Sequence, residues 1–216
     1  MLTLVEEIIL LMLNDEDGRF VRVPSWSTEY AIAGGVLMDL AMENRIDTDL
    51  EHLMLLDSTP VGDSLLDPAL ADIAKGEQQD VRFWVEHVAQ SAYDLREGAL
   101  SRLVDHGILE REDEKFMWVF KSRRYPTIDG TVEREVKLRI MGVLFSDEIP
   151  DPRDVMLICL ADACGIFREL LSSRESRQAS DRIEQVRRLD LIGQSMTQAI
   201  HDIEMSIAAS VQGHVY

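Results

Sequence analysis

Apolar positions recur at helical spacing over most of the chain. Leu4, Ile8, Leu11 and Met12 share one face behind Thr3 and Glu6, a capping-box pair that opens a first helix running to about residue 13. Asn14-Asp-Glu-Asp-Gly18 reads as a turn, and 19–23 alternates like a short strand. A second helix is predicted over 27–44. It contains Gly34 and Gly35, which cost about 1 kcal/mol each against Ala and mark close approach of another backbone. Residues 45–57 read as an extended hairpin, and helices follow near 63–74, 80–90 and 93–106, the last ended by Gly107 as its C′ residue. A second hairpin is predicted from 108–112 and 115–120 around Asp113-Glu114, then a helix near 131–145. From Pro152 the pattern gives three or four helices, with 155–160 and the face Ile166, Phe167, Leu170 and Leu171 at the centre of the core. With no repeat and no Gly/Ser linker, the prediction is mainly α: one helical domain over 1–216 with short exposed β-hairpins.

Composition narrows the function classes. The 216 residues hold 40 acidic and 22 basic side chains, a formal charge of −18, with 46% hydrophobic residues. That balance supports a folded core. Its acidity argues against nucleic acid as a partner and against a uniformly basic membrane-docking surface. Half of the charge, −9, lies in residues 1–60, and 121–139 is locally basic. No apolar run reaches the ~18–20 residues of a spanning helix. The first residues lack a signal-peptide pattern, and two cysteines five apart form neither a disulfide framework nor a zinc motif. A reducing cytoplasm is the expected location.

The search for reactive constellations leaves little. Gly34-Gly35 has no phosphate-loop context, and Cys159 and Cys164 lie in an apolar helix with no neighbouring His. None of the five histidines has metal-ligand spacing, and the acidic clusters 15–17 and 110–114 read as solvated turns. The expectation is no enzyme, no cofactor and no metal. The stretch 95–120, a helix followed by a two-stranded wing, has a winged-helix outline. Its Arg96 and Arg102 are outnumbered by Asp94, Glu97, Asp105 and the acidic wing, which would repel phosphates. Trp26, in the loop that opens the second helix, with Tyr30 one turn later, is either a packed loop aromatic or a residue that wedges into a membrane interface or lines a headgroup pocket.

Four segments taken in order resemble one family. They are Leu2-Thr-Leu-Val-Glu-Glu-Ile-Ile-Leu-Leu with its following turn, Gly34-Gly-Val-Leu-Met-Asp-Leu-Ala-Met-Glu-Asn-Arg-Ile46, Leu56-Asp-Ser-Thr-Pro-Val-Gly-Asp-Ser-Leu-Leu-Asp67, and Leu103-Val-Asp-His-Gly-Ile-Leu109. In sequence and spacing they are similar to the Golgi phosphoprotein 3 family of phosphoinositide-binding proteins. The resemblance runs from the first helix nearly to the C-terminus and is more diffuse after Pro126.

The resemblance implies a mostly helical domain that binds phosphatidylinositol 4-phosphate on the cytoplasmic face of a membrane and acts as an adaptor. It implies a bacterial member, since the chain starts at the first helix without the family's basic arm and its 22 basic residues include only four Lys. The family's headgroup pocket combines a Trp before the second helix, an Arg before the Gly-Gly pair, and two basic residues three apart on the helix that ends in Gly-Ile-Leu. Trp26 fits the first and Arg96 one of the last, while Ala33 and Tyr93 stand at the other two positions. Trp26, Tyr30, Tyr93 and Arg96 are therefore the expected headgroup contacts of a degenerate site. Each charge-assisted contact is worth roughly 1.5–3 kcal/mol, so losing two of three cations lowers affinity by orders of magnitude unless Arg19, Arg22 or Arg102 substitutes. The hairpin 108–120 resembles the family's self-association element, which makes Phe116, Trp118 and Phe120 the expected homo-oligomer contacts. A cytoplasmic protein-interaction module without lipid binding is the second reading, and winged-helix DNA binding the third.

Overall fold

The computed structural model describes residues 2–14, 17–49, 52–116, 120–128 and 130–212. Helix α1 (Leu4–Met12) lies at the centre, against α2 (Ser25–Met42), α5 (Ala92–Asp105), α6 (Thr131–Leu144) and α7 (Pro152–Ala163). On the other side of α2 stand α4 (Val81–Ala89) and α10 (Leu191–Gln212), with α10 also packed along α7. Helices α3 (Asp67–Lys75), α8 (Ile166–Leu170) and α9 (Ser173–Arg187) complete the outer layer. Two antiparallel hairpins interrupt the helices: β1 (Ile46–Thr48) with β2 (Leu53–Leu55), and β3 (Glu112–Phe116) with β4 (Phe120–Arg124). The fold is mainly α, as the periodicity predicts.

The first helix departs from the amphipathic expectation. All nine of its residues are buried, Glu6 and Glu7 among them. A helix buried on every side must have its polar groups met by the protein. The capping box does so at the start: Glu6 N–H donates to Thr3 Oγ1 at 3.1 Å, and Thr3 N–H to Glu6 Oε2 at 2.7 Å. Asp39 of α2 reaches across and accepts from Leu4 N–H at 2.7 Å. Glu7 holds two guanidinium groups, Arg139 Nη2 on Oε1 and Arg153 Nε on Oε2, each at 2.9 Å. Arg102 Nε stands 3.1 Å from Glu6 Oε1 as an ion pair off the hydrogen-bonding axis, so that this oxygen accepts no hydrogen bond. At the far end Lys137 Nζ donates to the Leu13 carbonyl at 3.0 Å. Carboxylates near the N-terminus and an ammonium at the C-terminus also suit the helix dipole.

The glycine pair in α2 serves the close approach that its sequence predicts. A Cβ on Gly35 would stand 3.3 Å from the Val5 backbone, and one on Gly34 would stand 2.5 Å from Leu160 Cδ1. The pair therefore lets α2 sit against α1 on one side and α7 on the other. Gly107 ends α5 in the left-handed region at φ +69, with its N–H on the Val104 carbonyl and Ile108 N–H on that of Leu103.

The second hairpin corrects the predicted turn. Its strands are 112–116 and 120–124, paired as far as Phe116 with Phe120, so Asp113 and Glu114 are strand residues rather than a turn. The register sets Glu112 opposite Arg124 and Asp113 opposite Arg123. Opposite charges at the facing positions Glu112 and Arg124 favour this pairing. Smaller differences occur elsewhere. Trp26 lies in the first turn of α2 rather than ahead of it, and 19–23 contributes only an isolated bridge, Phe20 to Leu13.

Three tests follow from this packing. Arg153→Met should destabilise the protein by about 3–5 kcal/mol in urea unfolding, since Glu7 and the Leu2 carbonyl both lose a buried donor. Arg188→Ala, at an exposed pair with Glu184, should cost under about 1 kcal/mol. Gly35→Leu should cost about 3 kcal/mol or more by forcing α1 and α2 apart. Burial pushes the Asp39 carboxyl up from 3.8 to about 7, against the Leu4 and Val5 N–H groups and Arg153, which pull it down. A raised folded pKa makes the stabilising form the protonated one, complete below pH 4 and lost as pH rises to 7. Relative to Asp39→Asn, the wild type should therefore lose up to about 1.4 kcal/mol of stability per pH unit across that window. Parallel stability–pH curves for the two proteins would refute the assignment.

Candidate functional site

The segment from α1 to α2 carries the first half of the expected site. Val21 N–H bonds the Met12 carbonyl at 2.8 Å and Phe20 bridges Leu13, which ties the segment back to the core. Pro24 then starts α2, setting Trp26 in its first turn and Tyr30 one turn on. Trp26 is half-buried, its ring centroid 6.2 Å from that of Tyr30 at an interplanar angle of 46°. Burial, and after it Glu86 and Glu29, push the Tyr30 hydroxyl above its ordinary pKa, so this end of the aromatic pair lies in a negative field.

Helix α5 carries the second half. Tyr93 and Arg96, three apart, share a face. The Arg96 guanidinium carbon is 5.4 Å from the Tyr93 ring centroid and 5.7 Å from that of Phe20. Both distances lie within cation–π range. Arg96 Nε is buried without a hydrogen-bond partner, and Nη2 is 3.6 Å from Glu97. Two aromatic faces thus hold this cation, with the Glu97 carboxylate in ion-pair range but not hydrogen-bonded to it. Phe20 was not singled out in the sequence, where it reads as one more apolar residue after a turn. Among the described residues no hydrogen bond, ion pair or ring contact joins Trp26 and Tyr30 directly to Tyr93 and Arg96. The two halves are linked through the 20–26 segment, since Phe20 touches Arg96 and Arg22 lies beside Trp26.

The structure sorts the substitute cations. Arg102 is committed to the core, on Glu6 and on Asp63, whose oxygens accept from Nη1 at 2.8 and 3.0 Å. It is therefore no headgroup ligand, and the recognition-helix reading loses one of its two arginines. Arg19 lies 3.7 Å from Asp17. Arg22 does reach the Trp26 side, where a cleft of 190 Å³ is lined by Trp26, Arg22, Arg168, Glu169 and Glu204 among others. Arg168 was missed because only the packing of α8 brings it there. Ala33 is fully buried, so no surface cation can be carried at that position.

The remaining chemistry is structural. Cys159 and Cys164 are buried as expected. Burial, then Asp190 and Asp162, push the Cys159 thiol up to about 12, and burial likewise raises that of Cys164, so neither presents a thiolate. Among the described residues no group of His, Cys, Asp and Glu could hold a metal ion. Likewise none of their helices is long and apolar enough to cross a membrane. Phe116 and Phe120 face each other in the β3–β4 register, while Trp118, the third expected oligomer contact, lies outside the described residues.

The profile of one protein family, described as Golgi phosphoprotein 3 (GPP34), matches residues 4–203. Among curated proteins the chain is similar to vacuolar protein sorting-associated protein 74 of Eremothecium gossypii, 25% identical over 80% of this chain and 62% of that protein. It is 31% identical to the protein of the same name from Schizosaccharomyces pombe, over 67% of this chain and 49% of that protein. The chain thus spans about half to about three fifths of the length of these relatives. A central helix opened by a Thr3–Glu6 capping box, a glycine pair packing α2 against it, and a family profile that covers nearly every described residue lead to one conclusion: the chain belongs to the Golgi phosphoprotein 3 family.

Proposed function

We propose that this chain is a non-enzymatic peripheral adaptor that docks on a membrane by binding a phosphorylated lipid headgroup. The headgroup class is phosphatidylinositol 4-phosphate, as the family resemblance implies, and the site is weakened. The observation that carries the reading is Arg96, a part-exposed guanidinium positioned by Phe20 and Tyr93, with no hydrogen-bonded carboxylate occupying it. Such a group has donors left for a phosphate. Trp26 supports it: the indole is half-buried, and its N–H makes no hydrogen bond to a described residue. An amphipathic ring of this kind suits the boundary between headgroups and water. With Ala33 buried and Tyr93 in place of a cation, one of the three basic positions remains, and the affinity should be correspondingly low.

Co-sedimentation with phosphatidylcholine vesicles containing phosphatidylinositol 4-phosphate tests the reading. Arg96→Ala should lower binding by about tenfold or more, the loss of one charge-assisted contact. Tyr93→Arg, at a position 62% exposed, should raise it by a similar factor. Binding no stronger than to phosphatidylcholine alone, or binding indifferent to both substitutions, would overturn the proposal.

A further inference from the structure

The cleft beside Trp26 holds a charge arrangement that the phosphoinositide reading does not use. Its charged lining consists of Arg22 before α2, Arg168 and Glu169 on α8, and Glu204 on α10. Two cations and two carboxylates face one space, yet no ion pair joins any of them to another. Neither arginine side chain makes a hydrogen bond or ion pair with any described residue, although the charge of Arg168 acts on Asp162 beneath the cleft, and the ion-pair partner of Glu204 among the described residues is His201, 3.8 Å away. Arg22, Arg168 and Glu169 are exposed. Elsewhere in the chain arginines close on carboxylates readily, as Arg45 does on Asp57 and Arg82 on Glu86. Here the opposite charges stand apart across a cleft of 190 Å³.

The lining sums to zero charge, which disfavours a multivalent anion. A ligand that carries both signs on a short linker satisfies all four groups. The volume is below the roughly 300–1,000 Å³ of drug-sized sites, so the ligand is small. The mixed polar lining is also unsuited to an apolar peptide.

We propose that the Trp26 cleft is a subsite for the phosphoethanolamine headgroup of a membrane lipid. The phosphodiester lies on Arg22 and Arg168, and the ammonium lies on Glu169 and Glu204 beside the Trp26 indole. Guanidinium groups form paired hydrogen bonds with phosphate oxygens, and an ammonium gains from carboxylates and from an indole face together. Carboxylates can accept hydrogen bonds from the N–H groups of ethanolamine and not from the methylated nitrogen of choline, so the site should tell the two apart. The inference rests on the membrane-docking reading above.

The test compares vesicles of phosphatidylcholine alone, phosphatidylcholine with phosphatidylethanolamine in equal parts, and phosphatidylcholine with phosphatidylinositol 4-phosphate. The wild type should sediment at least threefold more with the ethanolamine vesicles than with phosphatidylcholine alone. Arg22→Ala with Arg168→Ala, and separately Glu204→Gln, should remove that increment while leaving thermal unfolding unchanged. Glu204→Gln should also leave intact the Arg96-dependent binding to phosphoinositide vesicles. Soluble glycerophosphoethanolamine should compete and glycerophosphocholine should not. An absent increment, or one that survives the variants, overturns the subsite and leaves the phosphoinositide reading standing if that binding persists. Failure to bind any vesicle overturns both. An increment without soluble competition reports bilayer packing and overturns the subsite. Competition by the soluble compound with no vesicle increment assigns the cleft to a free metabolite and overturns the lipid.

Discussion

Two consecutive carboxylates, Glu6 and Glu7, sit on a helix that is buried on every side, and the arrangement of the domain follows from satisfying them. Nine residues are too few for a stable isolated helix, so α1 exists because its neighbours pack on it. Those neighbours must also deliver charge. Arg102 comes from α5, Arg139 from α6 and Arg153 from α7, and each reaches Glu6 or Glu7. Asp39 of α2 takes the first free N–H of α1. A misplaced neighbour would leave a carboxylate desolvated and unpaired, which costs several kcal/mol. In this chain the buried charges therefore specify which helices surround the centre, while the apolar contacts supply the driving force.

The same helices present the surface site. Helix α2 offers Asp39 to the core at one end and Trp26 to the surface at the other. Helix α5 points Arg102 inward, six residues beyond Arg96. Phe20, which positions Arg96, is joined by its strand bridge to Leu13, whose carbonyl accepts from Lys137. Loosening the ionic core would therefore displace the aromatic and cationic groups of the site. Such displacement is distinct from the loss of a ligand contact, and the two are separable because the surface residues take no part in the core network.

What the sequence revealed was mostly local. The Thr3–Glu6 capping box, the Gly34-Gly35 approach, the Gly107 cap and the buried cysteines each depend on a few neighbouring residues and on backbone geometry that those residues dictate. Four segments in fixed order carried the family resemblance for the same reason. The features that escaped depend on partners distant in the chain. The burial of Glu6 and Glu7 had no local signal because their arginines lie 96 to 146 residues away. The register of the second hairpin escaped because the apolar period of 115–120 suggested one strand, whereas the pairing sets Phe116 opposite Phe120. Arg168 had no signal at all, since only the return of α8 past the start of α2 places it beside Trp26.

The overall charge of −18 takes on a more specific meaning once the arginines are placed. With 40 acids and 22 bases, cations are the scarce group, and the core takes first claim on them. Arg102, Arg139, Arg153 and Lys137 are held by α1 and its surroundings. Arg182 is held by the carbonyls of Val143 and Glu148. Around the first turn of α2 this leaves Arg96 between two rings, and Arg22 and Arg168 without an ion pair to a described residue in a cleft that also contains two carboxylates. A headgroup site built from so few cations, with carboxylates interleaved, would discriminate by matching the placement of both signs of charge rather than by accumulating positive potential. The proposed membrane docking would then favour headgroups of low net charge over densely phosphorylated ones.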